Sequence, residues 1–312
     1  MSGPSEPSDP LRARSGRRPR WSEFRAALDA VGFRPSKTLG QNFLVDSNAA
    51  RAIAEDAALP TGSTVLEIGA GCGFLTLHLA ELGHEILAIE IDARLLDVAQ
   101  RLLASHSSVR WLRADALDSK HALAPALLAM LPSQAAWHLV SNLPYSVAAP
   151  LLVLLSRIPN PPATLTALVQ TELAARIASD PGEPEWGALA ARLRFRYQAR
   201  LGRAVSSQLF WPKPRVGSRV VHLCHAPLAG LRNEELSPLD ALVETLFQHR
   251  RKQLLGSLAE ALSSRAAAER SLEDAHLDPR QRPEALQPSE LLALARTEAW
   301  MHAALHRVEP AG

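Results

Sequence analysis

Residues 142–145 place two hydrogen-bond acceptors and an aromatic ring within one short segment of the chain. The segment reads Asn142, Leu143, Pro144 and Tyr145. The side-chain oxygen of Asn142 and the carbonyl of Leu143 can accept the two protons of an amino group, and Pro144 restricts the backbone of the residue before it. Tyr145 offers a face on which a nucleobase can stack. The alternative is a proline turn with an incidental aromatic side chain.

This pair of acceptors suits the exocyclic amino group of adenine. The lone pair of that nitrogen is delocalised into the ring, so a catalyst must draw the nitrogen towards tetrahedral geometry before it can attack. A sulfonium cofactor brings its own leaving group, which leaves positioning and electrostatics to the protein. We therefore predict that Asn142, Leu143, Pro144 and Tyr145 form the catalytic site of a methyl transfer to such an amino group.

A glycine-rich turn upstream predicts a cofactor of the adenosine type. Gly69, Gly71 and Gly73 follow an apolar run over 64–68, and glycines let the backbone pass close to a ligand. Taken alone, they could form a tight turn without any ligand. Glu90, at the end of the next apolar run, stands where a carboxylate can accept both hydroxyls of a ribose.

Nicotinamide dinucleotides and S-adenosylmethionine both fit that pairing, and two features favour S-adenosylmethionine. Glu67 precedes the glycines in the order Glu-Ile-Gly-x-Gly-x-Gly, a form common in methyltransferases, and the chain has no Gly-x-Gly-x-x-Gly. Asp115 follows the third predicted strand, where it can accept a hydrogen bond from an adenine amino group; a cap or turn residue is the alternative. The predicted cofactor-binding residues are Gly69, Gly71, Glu90, Asp115, Ala116 and Asn142.

The elements that must position these residues predict an α/β fold. Short apolar runs alternate with helical patterns, as in a parallel sheet with helices on both faces. Several predicted strands end in glycine or polar residues, at the edge where open α/β sheets bind ligands. The fold class is a Rossmann-like class I methyltransferase sheet with a small C-terminal helical domain. Predicted strands cover 64–68, 85–89, 109–112, 137–140 and 166–169, with 219–223 closing the sheet.

The length of 312 residues suffices for two cores. We predict a basic flexible N-terminal tail over 1–35, a cofactor-binding domain over 36–227 and a helical RNA-binding domain over 228–312. Ser237 is the expected N-cap of the first helix in the second domain, with Pro238 at its first position and an apolar stripe behind it. Ser289 is expected to cap the last helix.

Composition excludes several other classes of protein. The apolar runs are too short for a membrane span. Cys72 and Cys224 lie far apart, which favours a reducing cytoplasm over a disulfide framework. His222, Cys224 and His225 follow a strand pattern and lack a second ligand group, so no metal is predicted. The arginine-rich start of the chain could alternatively be a mitochondrial presequence, although it contains acidic residues.

Local basic clusters predict RNA contacts, because a net charge of +2 gives no general attraction to nucleic acid. Arg250, Arg251 and Lys252 follow the apolar stripe of the second domain, and Lys213 and Arg215 lie in the loop after Phe210. Solvated helix ends are the alternative interpretation of such charges.

Over residues 36–296 the chain resembles the ribosomal RNA adenine dimethyltransferase family. In that family the segment matched by 41–44 closes over the cofactor, which makes Asn42 and Leu44 binding candidates. Ser146 and Val147, which follow Tyr145, and Gln253, which follows Lys252, depart from the residues usual in the family, and none of them is one of the acceptors. Besides the glycine turn and residues 142–145, the resemblance rests on Leu-Gly-Gln-Asn-Phe-Leu at 39–44, Gln-Thr-Glu at 170–172, Phe-Trp-Pro-Lys-Pro at 210–214 and Arg-Arg-Lys at 250–252.

The resemblance implies that S-adenosylmethionine methylates two adjacent adenosines twice each, in a hairpin loop near the 3′ end of small-subunit (16S) ribosomal RNA. It also implies a monomer that acts on the assembling small subunit. Residues 282–286 resemble the small-subunit branch more than the large-subunit branch that confers macrolide resistance. Leu143 argues against methylation of a protein glutamine, which uses an Asn-Pro-Pro-Tyr turn. A non-catalytic assembly factor or a mitochondrial transcription factor is the alternative outside enzymes.

Overall fold

The computed structural model describes residues 18–36 and 40–308, with side chains described as far as Ala304. Leu39 and residues 1–17 of the expected tail lie outside the described residues. The strands are β1 (Phe43–Leu44), β2 (Thr64–Ile68), β3 (Glu85–Glu90), β4 (Val109–Arg113), β5 (Leu117–Ser119), β6 (Ala122–Leu123), β7 (His138–Asn142), β8 (Thr164–Gln170), β9 (Tyr197–Val205), β10 (Phe210–Trp211) and β11 (Ser218–His225).

The described part of the chain contains the helices α1 to α13, of which α1 precedes the first strand and α13 is the last element. They are α1 (Trp21–Ala30), α2 (Ser47–Asp56), α3 (Phe74–Glu81), α4 (Ala93–Leu102), α5 (Pro125–Leu128), α6 (Ala148–Leu155), α7 (Thr171–Ala178), α8 (Ala188–Arg194), α9 (Leu236–Gln248), α10 (Leu254–Ala261), α11 (Arg265–Asp274), α12 (Pro288–Ala295) and α13 (Glu298–Val308). Among these residues no helix has the length and apolar character that a bilayer crossing requires.

A seven-stranded sheet forms the centre of the fold and confirms the predicted α/β class. Its order is β4-β3-β2-β7-β8-β11-β9, and the first five strands pair in parallel. In β2, Val65, Leu66 and Ile68 are buried, as expected for a strand covered on both faces. The expectation that 219–223 closes the sheet is wrong, because β9 lies beyond β11 at the edge.

Residue contacts group the chain into two compact units. The first comprises Met1–Leu151, Pro162–Thr171 and Gly202–Val220, and the second comprises Leu152–Pro161, Glu172–Leu201 and Val221–Gly312. The units interleave along the chain, so a single boundary at 227 stays a prediction.

The N-terminal helix α1 corrects the expected flexible tail over 1–35 for its described part. Phe24 and Leu28 are fully buried in the core of the first unit, together with Phe33 just after the helix. Phe24 packs edge-on against Phe74, with 5.3 Å between the ring centroids. The apolar spacing along 21–28 is helical, and burial of that stripe holds α1 against the core.

The second unit is helical around its own core, which includes Leu239, Leu246 and Trp300. The predicted apolar stripe of α9 is confirmed, since Leu239, Leu242, Val243 and Leu246 are all buried. Two predicted caps are wrong. A 3-10 turn over Asn233–Glu235 leads directly into α9, which begins at Leu236 rather than after Ser237. Gln287, not Ser289, caps α12, and its N–H donates to the Glu290 carboxylate at 2.7 Å.

Candidate active site

The turn after β2 requires its glycines. Gly69, Gly71 and Gly73 have φ angles of 73°, 60° and 87°, a region that residues with a Cβ rarely adopt. A Cβ on Gly69 would lie 3.0 Å from the Cγ of Pro144, and one on Gly71 would lie 3.1 Å from the ring of Phe43. The turn therefore packs directly against the segment that carries the predicted acceptors.

Glu90 ends β3 as a buried carboxylate held by backbone donors. Its Oε2 accepts the N–H of Gly71 at 2.7 Å, and its Oε1 accepts the N–H of Asp92 at 2.9 Å. Burial raises the pKa of this carboxyl. Each carboxylate oxygen has a further lone pair, so both can also accept the hydroxyls of a diol.

Asn142 is oriented by a hydrogen bond across the cavity. Its Nδ2 donates to the carbonyl of Asn42 at 3.0 Å. Because a carbonyl can only accept, the amide must turn its nitrogen towards Asn42, which leaves Oδ1 as the acceptor for a substrate. The neighbouring Ser141 hydroxyl donates to the carbonyl of Ile68 at 2.6 Å and ties the end of β7 to the end of β2.

Residues 143–145 are fixed by partners of their own. The N–H of Leu143 donates to the carbonyl of Leu168 at 3.2 Å, and the side chain of Leu143 is buried. The Tyr145 hydroxyl lies 2.6 Å from the Oγ of Ser218. Burial raises the pKa of Tyr145, so its phenol is neutral at physiological pH.

The wall formed by residues 43–44 is supported by a segment distant in sequence. β1 pairs antiparallel with β10, with Phe43 opposite Trp211 and Leu44 opposite Phe210. The rings of Phe43 and Trp211 stack with 5.8 Å between centroids. The Phe-Trp-Pro-Lys-Pro motif thus backs the segment that the family resemblance assigns to closure over the cofactor.

These elements surround one cavity of about 1250 Å³, its open mouth included. The structure thus brings together every residue predicted for cofactor binding or catalysis, while their roles stay predictions: Asn42, Leu44, Gly69, Gly71, Glu90, Asp115, Ala116, Asn142, Leu143, Pro144 and Tyr145.

Three residues of the cavity lining, Asp115, Glu67 and Cys72, add detail to the sequence predictions. Asp115 is exposed and its Oδ1 accepts the N–H of Leu117 at 2.9 Å, so it serves as a turn residue in addition to lining the cavity. Glu67 and Cys72 also line the cavity, and neither was proposed as a site residue from the sequence. In the sequence, Glu67 served only as the first residue of the Glu-Ile-Gly-x-Gly-x-Gly order that is common in methyltransferases.

Burial keeps both of these groups neutral. Burial raises the pKa of Glu67 to about 8, and the hydroxyl of Thr76 donates to its Oε2 at 2.6 Å. The pKa of the Cys72 thiol is raised to about 12, again by burial. The thiolate is the nucleophilic form of cysteine, so Cys72 presents an unreactive group to whatever the cavity holds.

The predicted RNA-binding residues are all exposed, in two separate groups. Lys213 and Arg215 belong to the first unit. Arg250, Arg251 and Lys252 belong to the second, where they lie in the turn between α9 and α10 rather than on a helix. Lys252 forms an exposed ion pair with Glu260 at 2.9 Å, a contact of small energetic value. Their role in binding RNA stays a prediction.

No group of three or more His, Cys, Asp or Glu side chains in the described part of the chain is arranged to hold a metal ion. Cys72 is buried, Cys224 is exposed, and both are free thiols.

A sheet whose first five strands are parallel, and whose glycine turn and strand-end carboxylate meet residues 142–145 at one cavity, has the architecture of a Rossmann-like methyltransferase. The family described as ribosomal RNA adenine dimethylase matches residues 32–295. The chain belongs to this family and is a ribosomal RNA adenine dimethyltransferase. The expected family, enzyme class and fold class are therefore confirmed.

Curated relatives and solved structures agree with this assignment. The ribosomal RNA small subunit methyltransferase A of Leifsonia xyli subsp. xyli is 39% identical over 88% of this chain and 96% of its own length. The protein of the same name from Shouchella clausii is 35% identical over 86% of this chain and 92% of its own length.

Among solved structures, the 23S rRNA methyltransferase ErmE has a TM-score of 0.61 and 26% identity over 81% of this chain and 98% of its own. A dimethyladenosine transferase from Plasmodium falciparum has a TM-score of 0.66 over 80% of this chain and 94% of its own; at 19% identity it shows the fold alone.

Proposed function

We propose that this chain dimethylates two neighbouring adenosines in a hairpin loop near the 3′ end of small-subunit ribosomal RNA. The relatives named for the small subunit are 32–39% identical to this chain over the aligned residues, whereas ErmE, named for 23S rRNA, is 26% identical. A hairpin loop displays unstacked bases that a cavity can receive, while bases inside a duplex are out of reach. The same names support action on the small ribosomal subunit.

The cavity fits S-adenosylmethionine. Glu90 would hold the ribose hydroxyls, because its carboxylate is fixed by two backbone donors and keeps acceptor capacity. Asp115 would accept from the adenine amino group, and Asn42 and Leu44 would cover the cofactor. The glycine turn allows the backbone to pass close, as the contacts of Gly69 and Gly71 require. S-adenosylmethionine supplies an electrophilic methyl group on its sulfonium.

One observation carries the proposal: Asn142 turns its Nδ2 towards the carbonyl of Asn42 and thereby presents Oδ1. This oxygen and the carbonyl of Leu143 would accept the N–H groups of the target adenine and draw its nitrogen towards tetrahedral geometry. Such acceptors, fixed before the substrate arrives, contribute most as charge develops in the transition state. Tyr145 would stack on the extruded base.

The test is methyl transfer to undermethylated ribosomal subunits. Labelled S-adenosylmethionine is incubated with the protein and small or large subunits separately, and the modified nucleotides are mapped. We expect dimethylated adenosines in the small subunit alone. Modification of large-subunit RNA instead would assign the chain to the 23S branch. Binding of small subunits without transfer would leave it an assembly factor.

A further inference from the structure

Ser218 contacts Tyr145, the residue proposed to stack on the target base, from a strand to which no role in the reaction has been given. It is the first residue of β11 and only 1% exposed. Its Oγ lies 2.6 Å from the hydroxyl of Tyr145, and both residues belong to the first unit. Two hydroxyls at this distance form a well-made hydrogen bond, here between a buried serine and a half-buried tyrosine.

The backbone around Ser218 is anchored on both sides. The carbonyl of Gly217 accepts the N–H of Thr171 at 3.0 Å, and a Cβ on Gly217 would lie 3.3 Å from the Thr171 hydroxyl. On the other side, Nε of Arg219 donates to the carbonyl of Gly202 at 3.0 Å. Ser218 is therefore a fixed point, and the Gln-Thr-Glu segment helps to fix it.

Tyr145 is consequently held at both ends. Its backbone follows Pro144, whose ring packs against the glycine turn at Gly69. Its hydroxyl, at the far end of the ring, is held by Ser218. A tyrosine side chain turns about two torsions, and a hydrogen bond at the phenol selects one combination of them. The ring face is thus oriented before any base arrives.

We propose that Ser218 is a positioning residue that fixes the ring of Tyr145 in the orientation required to stack on the target adenine. The proposal rests on the proposed function, in which Tyr145 receives the extruded base. Ser218 acts through the Tyr145 hydroxyl and does not itself touch the base, so its effect must vanish when that hydroxyl is absent.

A double-mutant cycle tests this dependence. The variants are Ser218→Ala, Tyr145→Phe and the double variant, with steady-state kinetics on undermethylated small subunits. Each single variant should raise the KM for RNA about three- to tenfold, the usual worth of one hydrogen bond, and leave the KM for S-adenosylmethionine unchanged. The double variant should be no worse than either single one. Ser179→Ala is the control, since it removes a buried hydroxyl that donates to the Arg176 carbonyl in the second unit.

Two results would overturn the proposal. One is a wild-type KM for RNA in Ser218→Ala. The other is a multiplicative loss in the double variant, which would mean that Ser218 acts independently of Tyr145. Failure of the proposed function is distinguishable, because the wild-type protein would then transfer no methyl group to small subunits. Tyr145→Phe breaks the same bond from the other side, so the proposal stays testable if Ser218→Ala does not fold.

Discussion

The cavity of the first unit and the basic turn of the second differ in how their functional groups are held. Asn142, Glu90 and Tyr145 are each fixed by a named hydrogen bond at 2.6–3.0 Å. Arg250 and Arg251, in contrast, are exposed side chains on a short turn. Fixed acceptors suit a reaction that depends on geometry, whereas exposed charges suit a long-range attraction that salt screens. Substitutions in the two regions should therefore change different measured quantities.

Asn142→Ala should have the largest effect. Loss of an oriented acceptor is expected to slow methyl transfer about 10²–10³-fold, the usual cost of removing one preorganised hydrogen-bonding group, with little change in cofactor or RNA affinity. Single-turnover kinetics with enzyme in excess measures the step. Asn142→Asp sharpens the result, because it keeps the oxygens but loses the N–H that binds the Asn42 carbonyl. Wild-type transfer in either variant would contradict the assigned geometry.

Glu90→Ala should weaken S-adenosylmethionine binding about 10- to 100-fold, as expected for hydrogen bonds to a charged acceptor. Isothermal titration calorimetry measures the affinity directly. Glu85→Ala is the matched control, because Glu85 is exposed at the opposite end of the same strand. Equal affinities in the two variants would remove Glu90 from the cofactor site.

Replacing Arg250, Arg251 and Lys252 together by alanine should weaken RNA binding up to about tenfold and flatten its salt dependence, because fewer counterions are released. Cofactor affinity should not change. A triple variant of Arg265, Arg270 and Arg280 removes the same charge from exposed positions of the same unit. If both triple variants show the same salt slope, the turn is an ordinary solvated surface.

Two buried glutamates should give opposite, smaller responses to pH. Burial raises the pKa of Glu67 from 4.5 to about 8, so the stability linked to its proton is present below pH 4.5 and is lost as the pH rises through 8. The Arg296 guanidinium lowers the pKa of Glu235 from 4.5 to about 2, so its contribution is present above pH 4.5 and is lost as the pH falls through 2.

Chemical denaturation at a series of pH values measures both contributions. Relative to wild type, Glu67→Gln should gain stability as the pH rises from 4.5 to about 8, by at most about 1.4 kcal/mol per pH unit, and the gain should level off above that range. Glu235→Gln should be destabilised at neutral pH, and the deficit should shrink in acid. If the free energy of unfolding of both variants follows the same pH dependence as that of wild type, neither carboxyl titrates as described.

The elements predicted best from the sequence are those determined by residues that are neighbours along the chain. β2, β3 and the glycine turn follow from continuous apolar runs and from glycines that no other residue can replace. The cavity lining followed because the carboxyl ends of parallel strands meet at one edge of the sheet. In α1 the arginines and prolines before it concealed the helical spacing of Trp21, Phe24 and Leu28.

Contacts between distant segments could not be predicted. β9 was missed because Arg200, Gly202 and Arg203 interrupt any apolar alternation, and its edge position tolerates them. The bond between Tyr145 and Ser218 joins side chains whose sequence neighbourhoods give no sign of the pairing. β1 and β10 have two residues each, too few for any periodic pattern to identify.

The pairing of β1 with β10 sets the point in synthesis at which the cavity wall formed by residues 43–44 is complete. A nascent chain that has not yet reached residue 210 already contains the glycine turn, Glu90 and Asn142, but it lacks the strand that backs Phe43 and Leu44. Emergence from the ribosomal exit tunnel proceeds from the N-terminus. If the cavity holds S-adenosylmethionine as proposed, its retention would begin only after roughly two thirds of the polypeptide has been translated. A fragment truncated before Phe210 would have the predicted reacting groups without the wall that encloses them.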